Sequence, residues 1–438
     1  MTAPWADIDA AVRTANPVRQ VGRVTDLVGM VIEAGGLEAP VGSLCRVDVG
    51  RHDPPVLCEV VGFRGGSLLI MPYGDARGVA RGACVTLMAS KLTVPCGPGL
   101  LGRVVDGLGR PLDGGPSLAG LPRVRLGGAA PAALSRRRST DPLATGVRAI
   151  DSLVTVARGQ RLGIFAGSGV GKSVLLGMLA RQAAADVNVL ALIGERGREV
   201  REFIERDLGP EGLARSIVVV VTSNESAVMR AKGAETAMTL AEGFRDADHD
   251  VLFMMDSATR YAMALREIGL AAGEPPTTKG YPPSVFAALP RLCERAGWSA
   301  VNAMTAFFTV LLEGDDIQDP VGDAMRSILD GHVMLSRDLA RENHYPAIDV
   351  LGSISRLRSE IIPGDDLAAG GRVLRWLKAL EENRDLVNIG AYVPGSDRVL
   401  DEALQQRDAI RAFLVQGMRE AAPFADSLAG LRALTGAS

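Results

Sequence analysis

This 438-residue sequence has little that stacks and little that titrates near neutrality: 4% of its residues are aromatic and four are histidine (His52, His249, His332, His344). Its five cysteines (Cys45, Cys58, Cys84, Cys96, Cys293) are odd in number, scattered and free of any CxxC pairing. With so few histidines beside them, they argue against both a disulfide scaffold and a zinc site. Neither sign of charge is in excess, since 48 Lys and Arg against 51 Asp and Glu leave a net charge of -3. A surface dedicated to nucleic acid would carry a clear cationic surplus. No uncharged run approaches the roughly 20 residues of a membrane span. The opening MTAPWADIDAAVR carries acids where a secretory leader carries positive charge. The expected compartment is therefore the cytosol. What is present, 47% hydrophobic and 23% charged residues over this length, fits two or three packed domains.

The pattern changes twice along the chain. From Val21 to about Lys91, short alternating runs such as LCRVDV and PVLCEVVGF, cut by Gly, Pro and Asp, predict a small β-barrel. A Gly/Pro-rich connection at 95–115 and a basic loop, SRRRST at 135–140, read as linkers. Beyond Arg158, the buried runs RLGIFA, VNVLALI, SIVVVV, DVLFMMD and AMTAFFTVLL alternate with helical or loop segments, as in a parallel sheet covered on both faces. After about Asp365, GRVLRWLKALEE and DEALQQRDAIRAFLVQGMREA predict helices alone. The expected architecture is an α/β RecA-like P-loop core at 92–364, with an N-terminal segment at 1–20, a β-barrel at 21–91 and a helical C-terminal domain at 365–438.

AGSGVGKS at 166–173 lies between a strand and a helix. A glycine-rich turn there lets successive N–H groups converge on phosphate oxygens at a helix N-terminus. Gly167, Ser168, Gly169, Val170, Gly171, Lys172, Ser173 and Val174 form the expected nucleotide-binding stretch, with Lys172 on the β- and γ-phosphates and Ser173 on Mg²⁺. Ala166 replaces the usual first glycine, which is tolerable at negative φ. DVLFMMD ends in Asp256, the expected second magnesium residue; an aspartate closing a strand is otherwise a cap or turn residue. VNVLALI leads to Gly194, Glu195 and Arg196. Placed on the strand next to the P-loop, Glu195 is the candidate base that orients water toward the γ-phosphorus. Arg198, Glu199 and Arg201 read instead as a solvated helix start, with Glu199 paired to Arg198. Arg356 is either an arginine finger or a surface arginine, and Tyr345 either stacks on adenine or packs in a core; spacing leaves both open.

The stretches LMPYGDARGV, LLGRVVDGLGRPLDG, TGVRAIDSL, QRLGIFAGSGVGKSVLLGML, VLALIGERGREVREFIE, DSATRYAMALREIGL, GYPPSVFAALPRLCERAG, LLEGDDIQDP, RSILDGHVMLSR and HYPAIDVLGSISR together resemble the flagellum-specific type III export ATPases. These are relatives of the catalytic subunit of rotary F-type ATP synthases. The resemblance implies ATP and Mg²⁺ as ligands, Lys172 and Ser173 as the P-loop pair, Glu195 as base, Arg196 near the γ-phosphate, Asp256 at the magnesium and Arg260 in support. It also implies Tyr345 as the adenine-stacking aromatic, Phe424 as the candidate second adenine wall, and Arg356 as the arginine inserted into a neighbour's site. It further implies a homohexamer at the cytoplasmic face of an export apparatus. Its partners would be a dimeric regulator, a central stalk protein, the export gate and chaperone–cargo complexes, with the membrane met only through them and no nucleic acid bound. Virulence-type injectisome ATPases share much of this pattern. Trp5, Ile8 and Val12 fall on one helical face, either a short partner helix for the regulator or a frayed terminus.

Two rivals remain. A non-catalytic ring subunit carries glutamine where this chain has Glu195. A hexameric RNA translocase needs basic and aromatic surface that the composition does not supply.

Overall fold

The computed structural model describes residues 20–50, 53–167, 169–312 and 319–436. The expectations for Trp5, Ile8 and Val12 lie outside the described residues. Six strands, β1 (Val21–Val28), β2 (Val31–Gly35), β3 (Leu44–Val47), β4 (Val56–Arg64), β5 (Ser67–Pro72) and β6 (Cys84–Ala89), close a barrel in the order β1-β2-β5-β4-β3-β6. Closure leaves no unpaired edge. Alternation sends Val24, Ile32, Cys45, Val47, Cys58, Val60, Ile70 and Val85 inward to fill it.

The second unit is built on a large sheet. β7 (Thr93–Pro95) and β9 (Arg123–Arg125) form a separate antiparallel pair, while β8 (Val104–Val105) joins the main sheet. The other members are β10 (Arg161–Ala166), β11 (Val187–Glu195), β12 (Ser216–Thr222), β13 (Val251–Asp256), β15 (Ala303–Leu311), β16 (Gly331–Leu335) and β17 (Ile348–Ser355), with β14 (Gly297–Trp298) paired only to β15. The order is β17-β16-β10-β15-β13-β11-β12-β8. Every neighbouring pair along it is parallel except β16 with β17. Parallel pairing brings the C-terminal ends of β10, β11, β13 and β15 to one edge, where α/β sheets hold their ligands.

This order corrects one expectation. β11, which carries Glu195, is not next to the P-loop strand β10, because β15 and β13 lie between them. That places the two about three strand spacings apart, roughly 14 Å. Two strands, β16 and β17, extend the sheet where no strand signal was read. Their burial alternates, as at an antiparallel edge, and lacks the continuous apolar runs of the sheet's centre.

Among the described residues no strand follows β17, and the chain continues as helices Gly364–Glu382, Arg398–Leu414 and Phe424–Thr435, with shorter turns between. The second helix stops at Leu414, so VQGMREA is loop, where a longer helix was expected. Trp376, Ile410, Leu414 and Leu431 share one apolar core with Leu162, Ile164, Leu175 and Leu179 of the sheet and P-loop helix. The helices therefore complete the burial of that face of the sheet. No described helix is long and apolar enough to cross a membrane.

Candidate active site

After β10 the chain turns through the glycine-rich loop into the helix Lys172–Gln182. Gly171 precedes the helix in the left-handed region, at φ 92°, where any side chain is strained. A Cβ there would also meet the Tyr345 ring at 3.5 Å, so that ring lies against the loop. Ser168 is outside the described residues.

Lys172 begins the helix, and its Nζ donates to Asp256 Oδ1 at 2.5 Å and to Glu195 Oε1 at 3.5 Å. One ammonium thus joins the ends of three elements, the P-loop helix, β13 and β11. The same Asp256 oxygen accepts a second hydrogen bond, 2.7 Å long, from the hydroxyl of Thr309 on β15. Glu195 reaches this point through an irregularity of its strand. The β11–β12 register slips between Ile193 and Glu195, and Gly194 sits at φ 74° with no room for a side chain, since a Cβ would lie 2.9 Å from Arg260 Cβ.

The charges are coupled. Burial, then the Asp256 carboxylate, push the Glu195 carboxyl up to about 7. Lys172 opposes this shift, and a hydrogen bond with Glu199 adds to it. Burial works to lower the Lys172 pKa, but the two carboxylates outweigh it and the net shift is upward. Around them opens a cleft of about 660 Å³, lined by Gly167, Gly169, Gly171, Ser173 and Val174 of the loop and helix start, by Gly194, Glu195, Arg196 and Glu199, and by Thr259, Arg260, Leu311, Arg206 and Arg337 among others. That size suits a cofactor or nucleotide.

Three comparisons bear on what this cleft belongs to. The ATP synthase alpha/beta family matches with its nucleotide-binding domain over residues 146–355 and its beta-barrel domain over 24–88; the T3SS EscN ATPase C-terminal domain matches 362–433. A flagellum-specific ATP synthase of Bacillus subtilis (strain 168) is 51% identical, covering 95% of this chain and 96% of its own. The chain belongs to the family of flagellum-specific ATP synthases and type 3 secretion system ATPases. A type 3 secretion system ATPase of Xanthomonas euvesicatoria is 49% identical over 95% of this chain and 94% of its own. Assembled EscN, from the type III secretion system of enteropathogenic E. coli, superimposes with a TM-score of 0.89 at 41% identity, covering 94% of this chain and 99% of EscN. EscN solved with its central stalk EscO gives 0.87 at 40% identity, with the same two coverages.

In this ATPase the remaining residues named from sequence divide. Arg260 borders the cleft beneath Gly194, and its Nε is buried with no hydrogen-bond partner among the described residues. Arg196 borders it with a largely exposed side chain, 3.2 Å from Glu199. That pairing corrects the expected Arg198–Glu199 pair, because Arg198 meets Glu202 one turn further on. Glu199 is therefore a cleft residue, whereas Arg198 and Arg201 form exposed i,i+4 pairs. Arg356 is not a cleft residue of its own chain; it is exposed at the end of β17, donating to the Arg326 carbonyl at 3.3 Å. Phe424 does not border the cleft either. It packs half-buried against Ala157, Ile361, Ile362 and Leu428, as part of a small apolar core. Sequence reasoning missed Thr309, Arg206 and Arg337. The only local signal for Thr309 was a polar residue near the end of the apolar run AMTAFFTVL.

Proposed function

We propose that the cleft binds ATP with Mg²⁺, that Glu195 is the base for its hydrolysis, and that this ATPase drives type III export of flagellar proteins from the cytoplasmic face of the export apparatus. The observation that carries the reading is the meeting of Lys172, Asp256 and Glu195 at the mouth of a glycine-rich loop and helix N-terminus. The donor set suits magnesium: Ser173, which carries a hydroxyl, lines the cleft, and Asp256 keeps Oδ2 without a hydrogen bond among the described residues. Those residues gather no cluster of three or more metal-binding side chains. A hard cation that completes its shell with water and substrate phosphate oxygens needs no more. Bound there, the ion would neutralise charge on the β- and γ-phosphate oxygens.

The chain's own groups supply the rest. Lys172 turns its ammonium to the phosphates, for which the two carboxylates compete. Glu195, with its pKa near neutrality, is matched to accept a proton from the attacking water. Tyr345, against Gly171, offers a face to the adenine. Arg356, exposed and outside its own chain's cleft, is the group a ring neighbour would lend. The assembled state of EscN and its stalk complex support a homohexamer around a stalk for this chain as well.

Mixing two inactive variants tests the shared site. Lys172→Ala and Arg356→Ala proteins should each lack hydrolysis, and mixed rings should regain part of it, because some interfaces then hold both intact halves. No recovery in rings shown to be mixed refutes the trans arrangement. Capture of native partners decides the branch: rod, hook or filament subunits support flagellar export, and injectisome effectors replace it with the virulence system.

A further inference from the structure

We infer that Thr309 is a positioning residue of the metal site, its hydroxyl holding the Asp256 carboxylate so that Oδ2 faces the cation. The inference rests on the reading of Asp256 as a magnesium residue.

β15 lies between β10 and β13, and its register sets Phe308 beside Met255 and Thr309 beside Ile164. One step further along β13 is Asp256. Thr309 is therefore the residue of the central strand that faces the carboxylate, and it is fully buried. A buried hydroxyl is costly unless it is bonded, and valine would serve the strand equally well in shape and β-branching. The Thr309 hydroxyl makes one hydrogen bond among the described residues, to Asp256 Oδ1 at 2.7 Å. A carboxylate only accepts, so the hydroxyl donates.

Oδ1 has a second donor, Lys172. Lysine's four-carbon stem is flexible, and its ammonium is also the group suited to phosphate. Thr309 is anchored in the middle of the sheet, and its hydroxyl has no other partner among the described residues. It fixes the rotation of the Asp256 carboxyl whichever partner Lys172 takes. Groups of this kind, one bond removed from a metal, commonly change metal affinity by about 10- to 100-fold when lost.

The test compares full-length Thr309→Val with wild type, and Thr309→Ser with Thr309→Ala, a pair that differs only in the hydroxyl. Manganese affinity is read by electron paramagnetic resonance in the presence of a non-hydrolysable ATP analogue, and analogue affinity is measured separately in excess chelator. Val and Ala variants should bind manganese at least about tenfold more weakly, the Ser variant should match wild type, and metal-free analogue binding should not move. Equal manganese affinity in the Ser and Ala proteins overturns the inference even if the Val protein does not fold. Asp256→Asn separates the two levels: if it too leaves manganese affinity unchanged, the metal-site reading itself falls, and if it alone weakens binding, only the role of Thr309 falls.

Discussion

Two buried charge clusters in the same unit differ in one respect. Glu242 and Arg295 meet through two parallel bonds of 2.7 and 2.6 Å, with Thr239 closing a further guanidinium donor at 2.9 Å. One acid faces one base, and each carboxylate oxygen has its donor. At the cleft's wall, the single ammonium of Lys172 faces two carboxylates, Glu195 on the cleft and Asp256 buried behind it, and one oxygen of Asp256 has no donor among the described residues. The first cluster is electrically closed and supports the packing around it. The second shares one ammonium between two carboxylates, at a cleft that Arg196, Arg206, Arg260 and Arg337 also border, and leaves one carboxylate oxygen open to a cation. Charge balance, more than burial, separates a structural ion pair from a reactive one here.

Glu195→Gln should break the reactive cluster with the largest effect. Hydrolysis is expected to fall by about 10²- to 10⁴-fold, while ATP analogue binding and Tm stay at or above wild type, because the change removes one of two carboxylates that compete for the Lys172 ammonium. Phosphate release and calorimetry on one preparation check both. Glu242→Gln should do the reverse. It strands a buried guanidinium at a cost of about 3–5 kcal/mol, lowering the denaturant midpoint and leaving turnover per folded protein unaltered.

The pH profile sharpens the contrast. Glu195 works as the carboxylate, and its pKa is raised to about 7, so kcat/KM should fall as pH drops below that value. Glu199→Ala removes one of the groups that raise it and should move the acid limb to lower pH. A profile flat from pH 8 to 5.5 would contradict Glu195 as base. The smallest effect belongs to Arg198→Ala, which loses an exposed pair with Glu202 worth roughly 0.3–0.5 kcal/mol and should leave turnover unchanged.

The sequence carried the parts of the fold and site that are local. The P-loop is one short segment between a strand and a helix, and Asp256 closes a run of six apolar-to-acid residues, so both could be read in place. The sheet order could not, because it depends on which strands pair across distances of tens to hundreds of residues. That is why β11 was set beside β10, and why Thr309 went unnoticed although it touches Asp256. Arg337 stayed hidden for a related reason: it follows β16, whose alternating GHVML gives a weak signal beside the continuous runs of the centre. Glu199 was misread because charged residues at a helix start usually face water, and only the tertiary placement turns this one inward to Glu195.

Side chains along a strand point alternately to opposite faces, so residues two apart share a face. The slip at Gly194 changes that parity once, immediately before Glu195. Had the ladder continued in step, the acid would have pointed the same way as Ile193, into hydrocarbon. One supernumerary glycine thus acts as a sign change: it takes the unpaired place in the ladder, so that Glu195, one register step from Ile193, faces Thr222 and points away from the core that Ile193 enters.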